Sequence, residues 1–271
     1  MKRLLNILIC VISVMATACT EVMEDFDLNT AEAKTVVDAV VTRDRAYVIL
    51  SKTTSYLNPN KVSYISGATI TITYNETMLT LNEDSAGYYS IKSDFPEETM
   101  YELRVSLDNE VITAHSFMPK PVLWDSVSVR RSELADLYPL PDSMGVLYEI
   151  LGYITDPKGV ANYYKLDVMK FDTLQVREVG DDSFFEGQNF QLLTMIDMYK
   201  PEDTLWVYLN SIDKAAFEFY NTLALSNSSS GMFSAPDNPK SNLVGDALGR
   251  FYAYSVDSVQ ITFPKKEKSI Y

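Results

Sequence analysis

Short runs of β-branched and aromatic residues, separated by turn residues, constrain the fold of this chain more than any other feature. The run Ala68–Tyr74 (ATITITY) alternates isoleucine with threonine, which puts apolar side chains on one face of a strand and hydroxyls on the other. Similar runs follow one another at Thr35–Thr42, Ala46–Lys52, Met78–Asn82, Tyr88–Lys92, Tyr101–Leu107 and Glu110–Phe117. Their spacing predicts an immunoglobulin-like β-sandwich over residues 35–118, with Asp108-Asn109 as a hairpin turn.

A second β-rich region follows. Two prolines in residues 118–121 (MPKP) remove backbone donors, so we place a domain boundary there and a second domain over residues 122–271. Its predicted strands are Leu123–Arg130, Val146–Thr155, Tyr163–Phe171, Leu174–Val179, Gln191–Ile196, Thr204–Leu209 and Tyr252–Phe263. Helical spacing of apolar residues predicts one helix near 211–225, with Ser211 as its N-cap. The predicted fold is therefore mainly β: an immunoglobulin-like sandwich, then a β-rich domain with one helix.

The first residues have the layout of an export signal. Two basic residues precede the apolar run Leu4–Met15, and small residues lead to Cys19. The sequence Ala-Thr-Ala-Cys resembles a bacterial lipobox, so residues 1–18 are expected to be a signal peptide and Cys19 to carry lipid. The other cysteine, Cys10, lies inside the removed segment, which leaves no partner for a disulfide. An ordinary soluble-export signal with an incidental cysteine remains the alternative.

Acidic residues dominate the segment after Cys19, and residues 19–34 are expected to form a lipidated tether. One interpretation of this run is a solvated linker. The other is a sorting signal, because the run resembles the acidic signal that sends Bacteroidetes-type lipoproteins to the outer face of the outer membrane. We expect an outer-membrane, lipid-anchored protein at the cell surface, with the periplasmic leaflet as the alternative. A formal net charge of −14 disfavours binding to nucleic acid.

Catalytic and metal-binding patterns are absent from the sequence. The chain has one histidine, His115, whereas most zinc sites combine several histidine or cysteine ligands. No Gly-x-Ser-x-Gly elbow accompanies it, and adjacent carboxylates on a strand point to opposite faces. We therefore expect a protein that is not an enzyme and has neither a metal nor another cofactor.

Aromatic residues are the remaining candidates for binding. The segment Asp181–Asn189 (DDSFFEGQN) combines two phenylalanines with charges in a loop, and its candidate interaction residues are Phe184, Phe185, Glu186 and Asn189. Two further aromatic pairs, Trp206 with Tyr208 and Tyr252 with Tyr254, share strand faces. Such rings suit sugar or peptide surfaces, but aromatic pairs on strands are usually core, and we predict core positions for both pairs.

Several motifs resemble a known family. They are LNTAEAKTVVDAVVT at 28–42, VSYISGATITI at 62–72, FMPKPVLWDSV at 117–127, ITDPKGVANYYKLDV at 154–168, SIDKAAFEFYNTL at 211–223 and FSAPDNPKSNLVGDALGRFYAYSV at 233–256. In this order they resemble a Bacteroidetes family of outer-membrane lipoproteins that is classified as a domain of unknown function. Genes of that family commonly neighbour a TonB-dependent transporter with a carboxypeptidase-regulatory-like N-terminal domain. The resemblance implies a transporter partner and supplies no ligand or catalytic residue.

Two functions follow as expectations. The first is a non-enzymatic accessory or ligand-capture subunit of a TonB-dependent transporter, attached to the membrane through Cys19. The second is a structural or adhesive cell-surface module, either fimbrial or in contact with a host. The ligand itself is left open.

Overall fold

The structure, a computed structural model, describes residues 32–54, 62–107, 110–137, 144–227 and 238–264. The expected signal peptide, Cys19 and the turn Asp108-Asn109 lie outside the described residues, as does the tether up to residue 31. The described residues from Ala33 onwards form one compact unit. Within the described ranges, no helix is long and apolar enough to cross a membrane.

Strands dominate the described residues, which confirms the predicted mainly β class. In chain order the elements are β1 (Thr35–Thr42), β2 (Arg45–Lys52), β3 (Ser63–Tyr64), β4 (Thr69–Tyr74), β5 (Thr77–Thr80), β6 (Asn82–Ser85), β7 (Tyr88–Lys92), β8 (Thr99–Leu107), β9 (Glu110–Met118), β10 (Trp124–Arg131), α1 (Leu134–Leu137), β11 (Val146–Thr155), β12 (Tyr163–Lys170), β13 (Thr173–Asp181), β14 (Asn189–Tyr199), β15 (Thr204–Ile212), α2 (Lys214–Asn227), β16 (Leu243–Val244), β17 (Ala247–Ala253) and β18 (Ser255–Thr262).

The first sandwich packs two sheets face to face. Sheet A has the order β17-β1-β2-β7-β6, with β3 paired to β2, and sheet B has the order β16-β9-β8-β4-β5. The alternation predicted for β4 is confirmed, because Ile70 and Ile72 are fully buried and Thr69 is exposed. Both isoleucines join one apolar core with Val37 and Val41 of β1. Burying each such side chain contributes about 1.5–3 kcal/mol.

Residues near the end of the described chain return to this first sandwich. Strand β17 runs parallel to β1, with Gly249 opposite Val37, and β16 pairs with β9. Residues 243–253, which belong to the second region in sequence, therefore add strands to the first sandwich. The predicted strand Tyr252–Phe263 is in fact two strands: β17 ends in sheet A at Ala253, and β18 begins in another sheet at Ser255. Since parallel pairing joins distant segments, this crossover leaves no local sequence signal.

The second sandwich packs the three-stranded sheet C against the four-stranded sheet D. Sheet C has the order β10-β11-β14, and sheet D has the order β13-β12-β15-β18. Their shared core includes Ile150 of β11, Val168 of β12 and Val207 of β15, all fully buried. Each of these strands therefore has an apolar inner face. The outer face of sheet D does not contribute to this core.

Helix α2 begins later than predicted. Ser211 is the penultimate residue of β15, where its Oγ accepts a hydrogen bond from Val122 N at 3.0 Å, so it is not the N-cap. That role belongs to Asp213, whose Oδ1 accepts a hydrogen bond from Ala216 N at 2.8 Å. The apolar side of α2 packs beside β12, β13 and β17, at the junction of the two sandwiches.

Candidate ligand-binding groove

The outer face of sheet D carries three rows of side chains that run across its four strands. Strand alternation puts every second residue on this face. From β13 to β18 the register aligns the rows Leu174–Met169–Trp206–Gln260, Arg177–Asp167–Tyr208–Ser258 and Val179–Lys165–Asn210–Val256. The inner face of these strands is mainly apolar, whereas the outer face combines charges with large rings.

Helix α2 packs over the β13 end of the third row and leaves a groove beside it. Val179 packs against the apolar cluster of α2, and Tyr163 lies 5.3 Å from the ring of Phe217. The groove has a volume of about 580 Å³ and is lined by Leu174, Arg177, Glu178 and Val179 of β13 and by Tyr220, Asn221, Leu223 and Ala224 of α2. This volume lies in the range of small-ligand sites.

The buried carboxylate of Asp167 holds the guanidinium of Arg177, the cation that lines the groove. Arg177 Nε donates to Asp167 Oδ1 at 2.6 Å, and the buried Lys165 Nζ donates to Asp167 Oδ2. Burial alone would raise the pKa of Asp167, but Lys165 and Arg177 hold it below its usual value. Burial lowers the pKa of Lys165 to about 8, against the opposing effect of Asp167. Arg177 is therefore held in one orientation before any ligand arrives.

Tyr220 forms the inner wall of the groove and is surrounded by cations. Its ring centroid lies 5.0 Å from Arg250 Cζ, 5.4 Å from Arg177 Cζ and 5.5 Å from Lys165 Nζ. Arg250 Nη1 also donates to the Tyr220 hydroxyl. Each cation–π contact contributes about 0.5–2 kcal/mol, with the larger values at desolvated sites. The wall is thus rigid and carries positive charge behind it.

Arg250 connects this wall to the first sandwich. On neighbouring strands of sheet A, its Nε donates to Asp38 Oδ1 at 2.7 Å. The cluster of Lys165, Arg177, Arg250, Asp38 and Asp167 holds three cations and two carboxylates. Glu178, which lines the groove, adds a third carboxylate, so the formal sum is 3 − 3 = 0. The whole chain has a formal charge of −14. The groove is therefore formally neutral within an acidic protein, and its cations are paired with carboxylates.

The structure separates the four residues of the predicted interaction loop. Phe184 is 92% exposed, but Phe185 is 6% exposed and stacks on Phe190 with ring centroids 4.1 Å apart. Glu186 Oε1 accepts a hydrogen bond from Gly159 N at 3.1 Å, and Asn189 Nδ2 donates to Asp125 Oδ2 at 2.8 Å. Three of the four side chains thus contact neighbouring segments of the protein, and of the four Phe184 alone projects as a large apolar group.

The two aromatic pairs have different environments. Tyr252 is buried at the junction, as predicted, whereas Tyr254 is half-buried and lies between β17 and β18. Trp206 is 38% exposed on the outer face of sheet D, where it stacks on Tyr208, so the prediction of a core position is wrong for Trp206. His115 is exposed on β9, and no acidic or histidine cluster able to hold a metal ion occurs among the described residues.

Sequence reasoning missed Arg177, Tyr220 and the groove between them. The run L-Q-V-R-E-V at 174–179 was recognised as a strand, and Tyr220 was inside the predicted helix. Neither segment indicates that the other lies beside it. Asp167 lies directly opposite Arg177 on the neighbouring strand, but this register is a property of strand pairing and is not visible in either segment alone.

Comparison with known proteins gives one family and distant structural likenesses. The model of a family described as "Domain of unknown function (DUF4249)" matches residues 23–260. No curated protein shows a significant match. A chain of a cytokine receptor complex aligns with 7% identity and a TM-score of 0.27, over 86% of this chain and 99% of that one. The FN1–FN3 domains of chicken CNTN1 align with 12% identity and a TM-score of 0.28, over 86% of this chain and 66% of that one.

Proposed function

Since the chain belongs to the family of unknown function DUF4249, we propose a role that rests on its sequence features and on the groove. In this proposal the protein is a lipid-anchored outer-membrane lipoprotein that is exposed at the cell surface. It captures ligand for a TonB-dependent transporter and does not act as an enzyme. Residues 19–34 supply the tether, and the two sandwiches supply the binding body. Anchoring two proteins in one membrane raises their effective concentration, so a weak contact with the barrel suffices.

Support for the anchor comes from the sequence. Cys19 follows a short apolar run and small residues, the order in which signal cleavage and lipidation occur. Attachment through more than one acyl chain is stable, whereas a single chain gives marginal binding. The acidic residues after Cys19 support exposure at the surface.

The observation that carries the capture role is the groove between β13 and α2. Its cation is oriented by Asp167, and its inner wall is held by three cation–π contacts. A site whose side chains are ordered before binding loses less conformational entropy when a ligand arrives. These features are typical of a binding surface that is ready for its ligand.

Two measurements test the anchor and the partner. The Cys19→Ser variant should move from the membrane fraction to the soluble fraction, or accumulate unprocessed, and should lose palmitate labelling. Cross-linking in intact cells, followed by extraction in mild detergent, should recover a TonB-dependent barrel with the wild-type protein. Membrane association and labelling that survive Cys19→Ser would refute the anchor, and repeated absence of a barrel would refute the partner.

The groove is tested separately. Ala224→Trp fills the helix wall of the groove, whereas Leu225→Trp places the same ring on an exposed residue outside the lining. In cells that depend on the captured nutrient, Ala224→Trp should slow growth and Leu225→Trp should not, while both still recover the barrel. A deletion that abolishes attachment but leaves uptake intact would favour the adhesive alternative.

A further inference from the structure

The groove runs along a free strand edge. Within the described ranges β13 pairs with β12 alone and is the terminal strand of sheet D. A terminal strand presents a row of backbone N–H and C=O groups on its open side, ready to pair with another strand.

The lining shows which part of β13 meets the groove. Arg177, Glu178 and Val179 are consecutive, and all three line it. Successive side chains on a strand point to opposite faces, so a cavity that touches all three must lie against the strand edge. From Leu174 to Val179 this edge is about 17 Å long, at about 3.4 Å per residue.

The opposite wall is one side of helix α2. Tyr220, Leu223 and Ala224 have the spacing of residues that share a helix face. An edge strand facing a helix across a groove is the arrangement in which extended peptides add a strand to a sheet, with backbone pairing for affinity and alternate side chains for specificity.

The polar groups of the groove favour a peptide over a sugar. Three polar side chains line the groove, those of Arg177, Glu178 and Asn221, and Arg177 Nε already donates to Asp167. The strand edge adds a regular series of backbone donors and acceptors. A sugar needs scattered side-chain partners, but a peptide backbone matches the repeat of the edge.

We propose that an extended peptide pairs with the open edge of β13, placing an apolar side chain against Leu174 and Leu223 and a carboxylate beside Arg177. The guanidinium has five donors, and the bond from Nε to Asp167 uses one. The Nη groups of Arg177 can donate to a carboxylate in the groove. This inference names the ligand class of the proposed capture site, and its biological role therefore rests on that function.

The test uses the full-length protein in detergent and a phage-displayed library of random octapeptides, depleted first on the Ala224→Trp variant. Selected peptides should combine alternate apolar residues with an acidic residue. They should bind the Leu225→Trp control as tightly as wild type and bind Ala224→Trp at least about tenfold more weakly. Matching circular dichroism spectra and melting temperatures of the two variants would exclude unfolding as the cause.

Backbone pairing has its own signature. N-methylation of one peptide bond at a time should weaken binding at every second position, because alternate residues of an added strand donate to the edge. On Arg177→Gln, replacing the acidic residue of the peptide by its amide should cost less affinity than it does on wild type.

Three outcomes would overturn the inference: no peptide selected over Ala224→Trp, binding that is insensitive to N-methylation at all positions, or glycan binding on an array that Ala224→Trp abolishes. These assays contain no barrel. If no peptide binds but a barrel is recovered by cross-linking, the peptide inference is rejected and the transporter role is kept. If a peptide binds but no barrel is recovered, the transporter role is rejected and the peptide inference is kept.

Discussion

Ser116 Oγ donates a hydrogen bond of 2.7 Å to Asp213 Oδ2, joining strand β9 of the first sandwich to the start of helix α2. The same serine oxygen accepts a hydrogen bond from Ala253 N at 2.9 Å, and Phe117 N donates to Asp213 Oδ2 at 2.9 Å. The other carboxylate oxygen caps α2. One side chain therefore fixes the helix that walls the groove to a sheet in the other sandwich.

Replacing Asp213 should loosen this junction. Asp213→Ala removes the helix cap, worth about 1 kcal/mol, and leaves the buried Ser116 hydroxyl without its acceptor, which costs about 1 kcal/mol more. We expect a loss of about 2 kcal/mol in the free energy of unfolding, measured by urea titration. Asp213→Asn keeps an oxygen for the cap and should lose less; equal losses in the two variants would contradict this account.

Gly249 should not tolerate a side chain. Its φ is +112°, and an added Cβ would lie 2.0 Å from Val37 O on the neighbouring strand β1. Gly249→Ala must therefore displace β17 as well as strain the backbone, which alone costs about 1–2 kcal/mol. The matched control is Gly159→Ala, with φ +82° and no atom within 4 Å of the new Cβ. Thermal unfolding should show the larger loss for Gly249→Ala, and similar losses would mean that β17 moves freely.

The two adjacent phenylalanines of the predicted interaction loop should differ in their contribution to stability. Phe185 is 6% exposed and packs on Tyr164 and Phe190, so Phe185→Ala should cost about 3–5 kcal/mol. Phe184 is 92% exposed, so Phe184→Ala should change stability by less than about 0.5 kcal/mol. Urea unfolding of both variants measures the two losses in the free energy of unfolding. A large loss for Phe184→Ala would reject the orientation of this loop.

Stability should depend on pH through Lys165. Burial lowers its pKa in the folded state from 10.5 to about 8. Between these values the unfolded chain holds a proton that the folded chain has lost, so this residue makes stability rise with pH across the window. Relative to Lys165→Met, the wild type should gain stability from pH 8 to 9.5. Tyrosines are common to both proteins and cancel in the comparison. A constant difference in unfolding free energy between the two proteins over this range would contradict the pKa shift.

Local patterns in the sequence predicted the individual elements well. The alternation around Ile70 and Ile72 identified β4, and apolar spacing identified most of α2. Strand geometry fixes side-chain direction within a few residues, so these predictions need no distant contact. The errors of detail have local causes. Ser211 and Asp213 both suit an N-cap, and the end of β15 decides between them.

The relationships between elements were decided by tertiary structure. Asp38 and Arg250 form an ion pair although they are 212 residues apart, and strand β17 crosses from the second region to pair with β1. The groove exists because β13 is the edge strand of sheet D and because α2 lies beside it. The sequence predicts neither of these two relationships. Composition determined the acidic charge, and the N-terminal segment predicts a lipid anchor, because charge and hydropathy are properties of single residues and short runs. Register and burial belong to pairs of distant segments, and for that reason Arg177, Asp167 and Tyr220 became a site only when the chain was folded.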